Sequence, residues 1–278
     1  MYNQRYQVEN MPQPKSFTFY NSLAVPNEIL TVLGTEATYT RHYHRLTGNP
    51  IPVANREGLN ISMGFGYATD RLDEDGPLLR DKNQALWVNL YTTGSIGENY
   101  YWRAIYAAGT YEKSLVFKDI KTYKQTLLAQ FGRKWSNKLA TSIGFIYLSN
   151  FDNPQIVPAA HISYSTDKWV IDMLLPNEVN IRYVANKNFH VLFINNIIRR
   201  SYYDLGTDVS YKFSINEAGL QLEHRLFGVF WAELAVTKPY GLKTEIVNNS
   251  SSNELGDVNQ TVKINAGLFV RFQQVYDK

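Results

Sequence analysis

Almost unbroken alternation of apolar and polar side chains marks the stretch VKINAGLFVRF, from Val262 to Phe272. Its even-numbered residues are all apolar, and its odd-numbered residues are polar, charged or glycine except for Phe269. Alternate side chains of an extended strand point to opposite faces. The stretch therefore belongs either to a half-buried strand of a soluble sheet or to a barrel strand with lipid outside and water inside.

The same period of two recurs from one end of the chain to the other, whereas no segment keeps a helical period with caps. In GLNISMGFGYA, Leu59, Ile61 and Met63 share one face, and Asn60 and Ser62 share the other. Aromatic residues make up 14% of the chain, which suits strands and membrane interfaces. The sequence therefore predicts an all-β fold.

Connections between the predicted strands alternate between tight turns and long polar links. Tight turns are predicted at 97–99, 135–138, 166–168, 185–188 and 227–228, and long links at 71–83, 113–122, 151–156, 201–213 and 243–260. Short turns at one end and long loops at the other are typical of outer-membrane barrels. Two connections depart from this pattern: a long link at 44–56 on the short-turn side, and a tight turn at Pro176 and Asn177 on the long-loop side.

These links predict fourteen strands, with twelve as the alternative if the first two strands or the two flanking Pro176 are not part of the barrel. The predicted strands are about 15–24, 28–43, 57–70, 84–96, 99–112, 123–134, 138–150, 157–165, 168–175, 178–184, 188–200, 214–227, 229–242 and 261–272. Many exceed the roughly 5 to 6 residues of an average soluble strand, and a membrane strand needs roughly 9 to 11. We therefore predict one domain over 1–278, an antiparallel transmembrane β-barrel of 12 to 14 strands with a short N-terminal lead at 1–14.

Composition excludes several other classes of protein. Because the chain has no Cys, it has no disulfide, thiolate metal site, Cys nucleophile or lipoprotein anchor. The net charge of +3 is small and basic residues do not cluster, so nucleic acid is not an expected partner. The start, MYNQRYQVEN, lacks the basic and apolar regions of a signal peptide, so we expect the mature form of an exported protein.

Two stretches carry a resemblance to a known family. They are NPQIVPAAHISYSTDKWVIDMLLPNEVNIRYVANKNFHVLFINNIIRRSYYDLG and INEAGLQLEHRLFGVFWAELAVTKPYG. Trp169 followed by Pro176, a tyrosine at 202 or 203 and the hairpin from Glu223 to Glu233 resemble an uncharacterised family of Bacteroidota outer-membrane β-barrels, known only as a domain of unknown function. The resemblance implies a fold and a location in the outer membrane, and it implies no activity.

The last predicted strand also resembles the signal that the barrel-assembly machinery reads. Such a signal is an amphipathic strand closing on an aromatic residue, which here is Phe272. The chain continues through QQVYDK, so Tyr276 is the alternative. The resemblance implies that the assembly machinery is a partner during biogenesis.

Assigning the polar register to the lumen places acids and bases of many strands inside the barrel. The predicted lumen charges are Arg103, Asp172, Arg182, Glu223, Arg225, Glu233, Lys263 and Arg271, together with Lys124 and Glu178. The opposite register is excluded, because each Arg or Lys at the lipid midplane would cost roughly 2 to 4 kcal/mol. A network of Glu223, Arg225, Glu233, Lys263 and Arg271 would either line a pore or fill a narrow lumen as structural ion pairs.

Other polar and aromatic residues suggest weaker sites. The acidic loop containing Asp73 and Asp75 could hold a hard cation, but it lacks the spacing of a Ca²⁺ loop, so we expect no metal and no cofactor. Aromatic residues near strand ends are interpreted as interfacial girdles. They are Tyr39, Tyr43, Tyr67, Trp87, Tyr100, Tyr101, Trp102, Tyr147, Tyr164, Trp169, Phe230 and Trp231.

An enzyme is not expected. His224 faces the lipid register but lies at the turn end of its strand with no Ser at matching height, and His42 and His44 abut a predicted link. No nucleophile, metalloprotease or nucleotide-binding motif is present. The catalytic residues are therefore predicted to be none.

Two functions remain open at this level. The first is a porin-like protein that carries a small solute or lipid-like molecule across the outer membrane of a Gram-negative bacterium. The second is a structural accessory subunit of a larger outer-membrane complex, for which small outward residues such as Ala104 and Ala108 are a weak sign. Outer-membrane lipid is an expected partner in both cases, and other outer-membrane proteins in the second.

Overall fold

Seventeen strands account for nearly all of the residues that the computed structural model describes. Those residues are 17–24, 28–32, 35–56, 58–74, 82–112, 123–149, 154–204, 209–248, 251–254, 258–259 and 262–271. The strands are β1 (Phe17–Ala24), β2 (Glu28–Val32), β3 (Thr35–Arg56), β4 (Leu59–Glu74), β5 (Lys82–Ile96), β6 (Tyr100–Glu112), β7 (Tyr123–Lys134), β8 (Leu139–Leu148), β9 (Gln155–Ser165), β10 (Trp169–Leu175), β11 (Glu178–Asn186), β12 (Phe189–Asp204), β13 (Val209–Phe227), β14 (Phe230–Asn248), β15 (Ser251–Glu254), β16 (Val258–Asn259) and β17 (Lys263–Val270). Among the described residues, no helix is both long enough and apolar enough to span a bilayer.

The sheet closes on itself through its first and last strands. β1 pairs with both β3 and β17, and β17 pairs with β14. From β3 to β14 each strand pairs antiparallel with the next in sequence. The ring therefore contains fourteen strands, and β2, β15 and β16 extend it at the long-loop end. The predicted all-β, antiparallel transmembrane barrel is confirmed, with the higher of the two strand counts.

The hairpin formed by β3 and β4 differs from the prediction. Residues 44–56, predicted as a long link, form the second half of β3, which turns through Gly58 into β4. Gly58 has a φ of 76°, a conformation that glycine adopts without strain. Gly and Pro in GNPIP suggested a loop, but the strand absorbs them with register shifts at Gly48/Ile51 and Pro52/Ala54. The predicted link on the short-turn side is thus wrong, and every connection on that side is short.

The barrel wall is uneven in height. The tight turn at Pro176 and Asn177 is present as predicted, and it makes β10 only 7 residues and β11 only 9 residues long. By contrast, β13 and β14 each have 19 residues, and β12 continues to Asp204. The predicted links 201–213 and 243–260 are accordingly shorter than expected. At the top of the tall side, Tyr203 of β12 pairs with Glu112 of β6.

Burial follows the predicted alternation. On β17, Lys263 and Asn265 are 6% and 2% exposed, whereas Ile264 and Leu268 are 43% and 55% exposed. An exposed apolar face around a closed ring is stable in lipid, and the buried polar face lines the lumen. Lys263 and Arg271 are tolerated in the last strand because they point inward.

Candidate functional site in the barrel lumen

The most buried charge in the described part of the chain is Glu223, on β13. Its side chain is fully enclosed, and both Arg182 of β11 and Arg271, just after β17, donate hydrogen bonds to it. The distance from Arg271 Nη2 to Glu223 Oε2 is 2.9 Å. A buried carboxylate is stable only when cations and hydrogen bonds compensate its desolvation. The two guanidinium groups supply that compensation.

A histidine completes this cluster. His190 lies directly opposite Glu223 on the neighbouring strand β12. Its Nδ1 is 3.0 Å from Arg182 Nη1 and 3.4 Å from Arg271 Nη1. Because a guanidinium only donates hydrogen bonds, Nδ1 is the acceptor and a neutral ring carries its proton on Nε2.

Two aromatic rings hold Arg271 in place. Its guanidinium carbon is 4.7 Å from the ring centre of Trp231 and 4.9 Å from that of Phe269. The two rings are stacked, with centroids 6.0 Å apart and planes at 16°. A cation over aromatic faces in a desolvated site is attracted by the ring quadrupole. Phe269, the one apolar residue in the polar register of the last strand, is therefore part of the charged cluster.

A glutamine extends the cluster to a second carboxylate. Gln221 Nε2 donates to Glu223 Oε1 and to Glu233 Oε2, both at 3.0 Å. Glu233 lies opposite Glu223 on β14 and is 7% exposed. We call Arg182, His190, Gln221, Glu223, Trp231, Glu233, Phe269 and Arg271 the Glu223 cluster.

Two members of the predicted network lie elsewhere. Arg225 Nε donates at 2.6 Å to the carbonyl of Gly228, so this side chain caps the turn between β13 and β14. Lys263 lies opposite Thr237, towards the long-loop end of β17 and away from Glu223. The structure thus brings together Glu223, Glu233 and Arg271 and adds Arg182, which was predicted as a lumen charge outside this network.

A second polar group lies on β9 and β10. His161 Nε2 is 2.6 Å from Asp172 Oδ1, and Ser163 Oγ is 3.3 Å from both atoms. A serine nucleophile needs the imidazole nitrogen beside it to accept its proton. Here that nitrogen donates to Asp172, and Ser163 is fully buried, so these three residues do not form a catalytic triad.

A third polar group joins β6 and β7. Arg103 Nε donates to Gln130 Oε1 at 2.6 Å, and both side chains are buried. Two further predicted lumen charges also take the inward register. Lys124 lies opposite Gly109, and Glu178 accepts a hydrogen bond from Asn180.

The chain matches one known protein family. The model of a domain of unknown function, DUF6268, matches residues 59–227, which is more than half of the chain. The chain belongs to the DUF6268 family. Comparison with curated proteins gave no sequence match.

Several solved barrels are similar to this DUF6268 protein in structure. The translocator domain of autotransporter NalP from Neisseria meningitidis has 8% identity and a TM-score of 0.42, covering 97% of this chain and 94% of that one. The KdgM porin has 8% identity and a TM-score of 0.38, covering 92% and 99%. The Pseudomonas putida toluene transporter TodX has 9% identity and a TM-score of 0.33, covering 92% and 89%. Likeness at this level carries no information about function.

The DUF6268 segment contains only part of the Glu223 cluster. It runs from β4 to the end of β13, so it includes Arg182, His190 and Glu223. Glu233 and Arg271 lie beyond it, on β14 and after β17. The strands outside the segment therefore close the ring and also supply one of the two cations of Glu223.

Among the side chains that the structure describes, three aromatic residues predicted as membrane girdles point into the lumen of the DUF6268 barrel instead. Tyr101 and Trp231 are each 3% exposed, and Trp87 packs inside against Ala68 and Ala85. Residues two positions apart on a strand share a face. Tyr101 therefore points inward with Arg103, and Trp231 points inward with Glu233. A position near a strand end indicated that these residues lie at the depth of a membrane interface, but it did not indicate whether they face the lipid or the lumen.

His161 and His190 were not predicted as site residues from the sequence. Both histidines point inward beside a charged residue of a neighbouring strand. His190 pairs with Glu223, and His161 contacts Asp172. Knowledge of which strands are neighbours would have identified them.

The remaining candidates have no described site. Asp73 lies opposite Thr40 at the top of β4. Asp75 and Phe272 lie outside the described residues. Within the described ranges, no three His, Asp or Glu side chains come close enough to hold a metal ion.

Proposed function

We propose that the protein conducts small solutes across the outer membrane of a Gram-negative bacterium. The observation that carries this proposal is the closed ring with an apolar outer face and a lumen lined by charged and polar side chains. Such a lumen holds water and offers polar solutes a route that lipid does not. The finer assignment to Bacteroidota belongs to the same proposal and rests on the sequence resemblance.

The size of the ring supports a passage. Fourteen strands about 4.8 Å apart and tilted by about 40° enclose a backbone cylinder of roughly 14 Å radius. The Glu223 cluster packs on β11 to β14 and β17, so it thickens one sector of the wall and narrows this space.

Accessible lumen charges favour anions. The Glu223 cluster is buried and its charges largely compensate each other, so the more accessible charges decide the potential. Among inward side chains of the described residues outside this cluster, exposed or half-buried bases outnumber acids: Arg45, Lys124, Lys134 and Arg225 stand against Asp172 and Glu178. A channel whose wall carries excess positive charge raises the local anion concentration.

Current across a planar bilayer tests this proposal. We expect discrete current steps and a reversal potential in a KCl gradient that indicates anion preference. Arg45→Gln should lower that preference and Glu178→Gln should raise it, because both side chains are exposed on the inward register. A silent membrane with folded protein, or a reversal potential that neither substitution moves, would contradict the proposal.

A second candidate is the structural accessory subunit, favoured by one feature of the outer face. Ala104 lies between Thr92 and Ala129 on neighbouring strands, which forms a row of small outward residues. Close packing of a partner barrel is easiest over such a row. Silent bilayers, together with recovery of an outer-membrane protein that Ala104→Trp releases, would support this function instead.

Outer-membrane lipid and the barrel-assembly machinery are the proposed partners, and nucleic acid is not. An enzymatic function is not proposed, and the shared hydrogen bonding of His161 and Asp172 supports that choice.

A further inference from the structure

One sector of the lumen wall is apolar. Leu128 of β7, Ile146 of β8 and Ala159 of β9 are buried together, and Ile105, Leu148 and Leu174 pack against them. All six take the inward register of adjacent strands, from β6 to β10. We call them the apolar layer.

Such a layer is unusual for a water-filled lumen. Inward positions elsewhere in the ring are largely polar or small, including Asn89, Thr93, Gln221, Thr237 and Asn265. A second apolar group of Leu192, Ile194 and Ala235 lies inward on β12 and β14, but all three of its side chains are buried. Burial of apolar side chains against each other does not explain the whole layer, because Ile105, Leu148 and Leu174 keep part of their surface accessible. Accessible apolar surface in a concave site is typical of sites that bind apolar molecules.

A polar layer lies directly beneath the apolar one. One inward position closer to the short turns, the same strands carry Arg103 below Ile105, Gln130 below Leu128, His161 below Ala159 and Asp172 below Leu174. Four of the five strands thus change from an apolar to a hydrogen-bonding side chain within two residues, whereas on β8 the position below Ile146 is Gly144. The wall is complementary to a molecule with an apolar body and a polar end.

Gln130 is a member of the polar layer whose amide group is buried and only partly hydrogen-bonded. Gln130 is 5% exposed, and its Oε1 accepts from Arg103. Its Nε2 has no hydrogen-bond partner among the described residues. A buried amide group left in this way costs free energy unless water or a ligand accepts its hydrogen bond.

The rim of the barrel is lowest beside this wall. The seven residues of β10, at about 3.3 Å each and a tilt of about 40°, rise roughly 18 Å. The lipid-facing band of such a barrel is about 25 Å tall. Leu174 lies just below the turn at Pro176, so the apolar layer reaches the low rim.

We propose that the two layers form a binding site for a lipid-like molecule, whose hydrocarbon body lies on the apolar layer and whose polar end accepts a hydrogen bond from Gln130. This inference names a substrate class for the proposed transport and rests on that function only for the step of passage. Binding itself is a separate property of the wall.

Photolabelling with a dodecanol that carries a diazirine on its chain tests the site in phosphatidylcholine nanodiscs. We expect saturable labelling of inward side chains on β6 to β10, mapped by mass spectrometry and competed by unlabelled dodecanol. Leu148→Asn should weaken competition roughly tenfold, because it places an amide in the apolar layer. The matched control is Tyr147→Asn, which changes the next residue on the outward face.

A second variant tests the hydrogen bond to the polar end of the bound molecule. Gln130→Met removes the amide and keeps the approximate shape of the side chain, so it should weaken competition by dodecanol and leave competition by dodecane unchanged. Folding of each variant is checked by the shift in gel mobility on heating.

The outcomes separate this inference from the proposed channel. Labelling confined to outward side chains, or lost equally in Leu148→Asn and Tyr147→Asn, would overturn the site even if current steps are present. Saturable inner labelling without current would uphold the site and reject the channel. Equal effects of Gln130→Met on dodecanol and dodecane would overturn the role given to the amide.

Discussion

Replacing Glu223 with glutamine is expected to lower the free energy of unfolding of the barrel by about 3 to 5 kcal/mol. The substitution leaves Arg182 and Arg271 buried in the lumen wall without the carboxylate that both of them contact. Removal of one partner from a buried ion pair costs about this much because the remaining charge stays desolvated. Urea titration in lipid vesicles, followed by the change in gel mobility between folded and unfolded forms, measures the difference.

Glu178→Gln is the matched control for this substitution. Glu178 also faces the lumen, but it is exposed at the start of β11, so its loss should change stability by less than about 1 kcal/mol. Equal stability of Glu223→Gln and the unchanged protein would show that the cluster does not hold the wall together.

Lysine at position 63 is expected to destabilise the barrel far more than lysine at position 62. Met63 is 48% exposed on the outward face of β4, whereas the neighbouring Ser62 is half-buried on the inward face. A lysine facing the middle of the membrane costs roughly 2 to 4 kcal/mol, and one facing a wet lumen costs little. The same urea titration compares Met63→Lys with Ser62→Lys, and a larger loss for Ser62→Lys would reverse the assignment of faces.

The Glu223 cluster changes how the predicted lumen charges are interpreted. From the sequence, these charges could either line a pore or fill a narrow lumen as structural ion pairs. The complete burial of Glu223 and the near-complete burial of Arg271 favour filling for these two residues. Arg45 and Glu178, which are exposed, are better placed to act on a passing ion. Selectivity and stability are thus expected to depend on different residues.

Alternation was enough to predict which face each charge takes. The period of a strand is two, so an inward Glu223 places Gln221 and Arg225 inward whatever the neighbours are. The same argument applied to Arg103 would have turned Tyr101 inward. The girdle interpretation of Tyr101 was wrong because aromatic character and position near a strand end do not determine which face of the strand a side chain takes.

Alternation could not predict which charges meet. Contact in the lumen depends on the order of strands in the ring and on the relative height of their residues, and neither is a local property. Arg225 and Lys263 share the register of Glu223, yet one caps a turn and the other lies towards the long-loop end. Arg182 reaches Glu223 across β12, a contact between residues that are 41 positions apart.

The hairpin formed by β3 and β4 shows a second limit of prediction from the sequence. Gly48, Pro50 and Pro52 are ordinary signals for a loop, because proline cannot donate a ladder hydrogen bond. Pairing of β3 with its neighbours on both sides outweighs that loss, and register shifts accommodate it. Local propensity was overridden there by closure of the ring.

Labelling of single cysteines along β5 tests most directly whether one face of the wall meets lipid and the other meets water. The chain has no native Cys, so each variant carries one reactive group. Cysteines at Asn89 and Tyr91 should react with a small charged thiol reagent from the aqueous phase. Cysteines at Val88 and Leu90, which are 48% and 40% exposed outside, should react only with a lipid-soluble reagent. Uniform labelling of all four positions by the charged reagent would contradict a membrane-spanning barrel with an aqueous lumen.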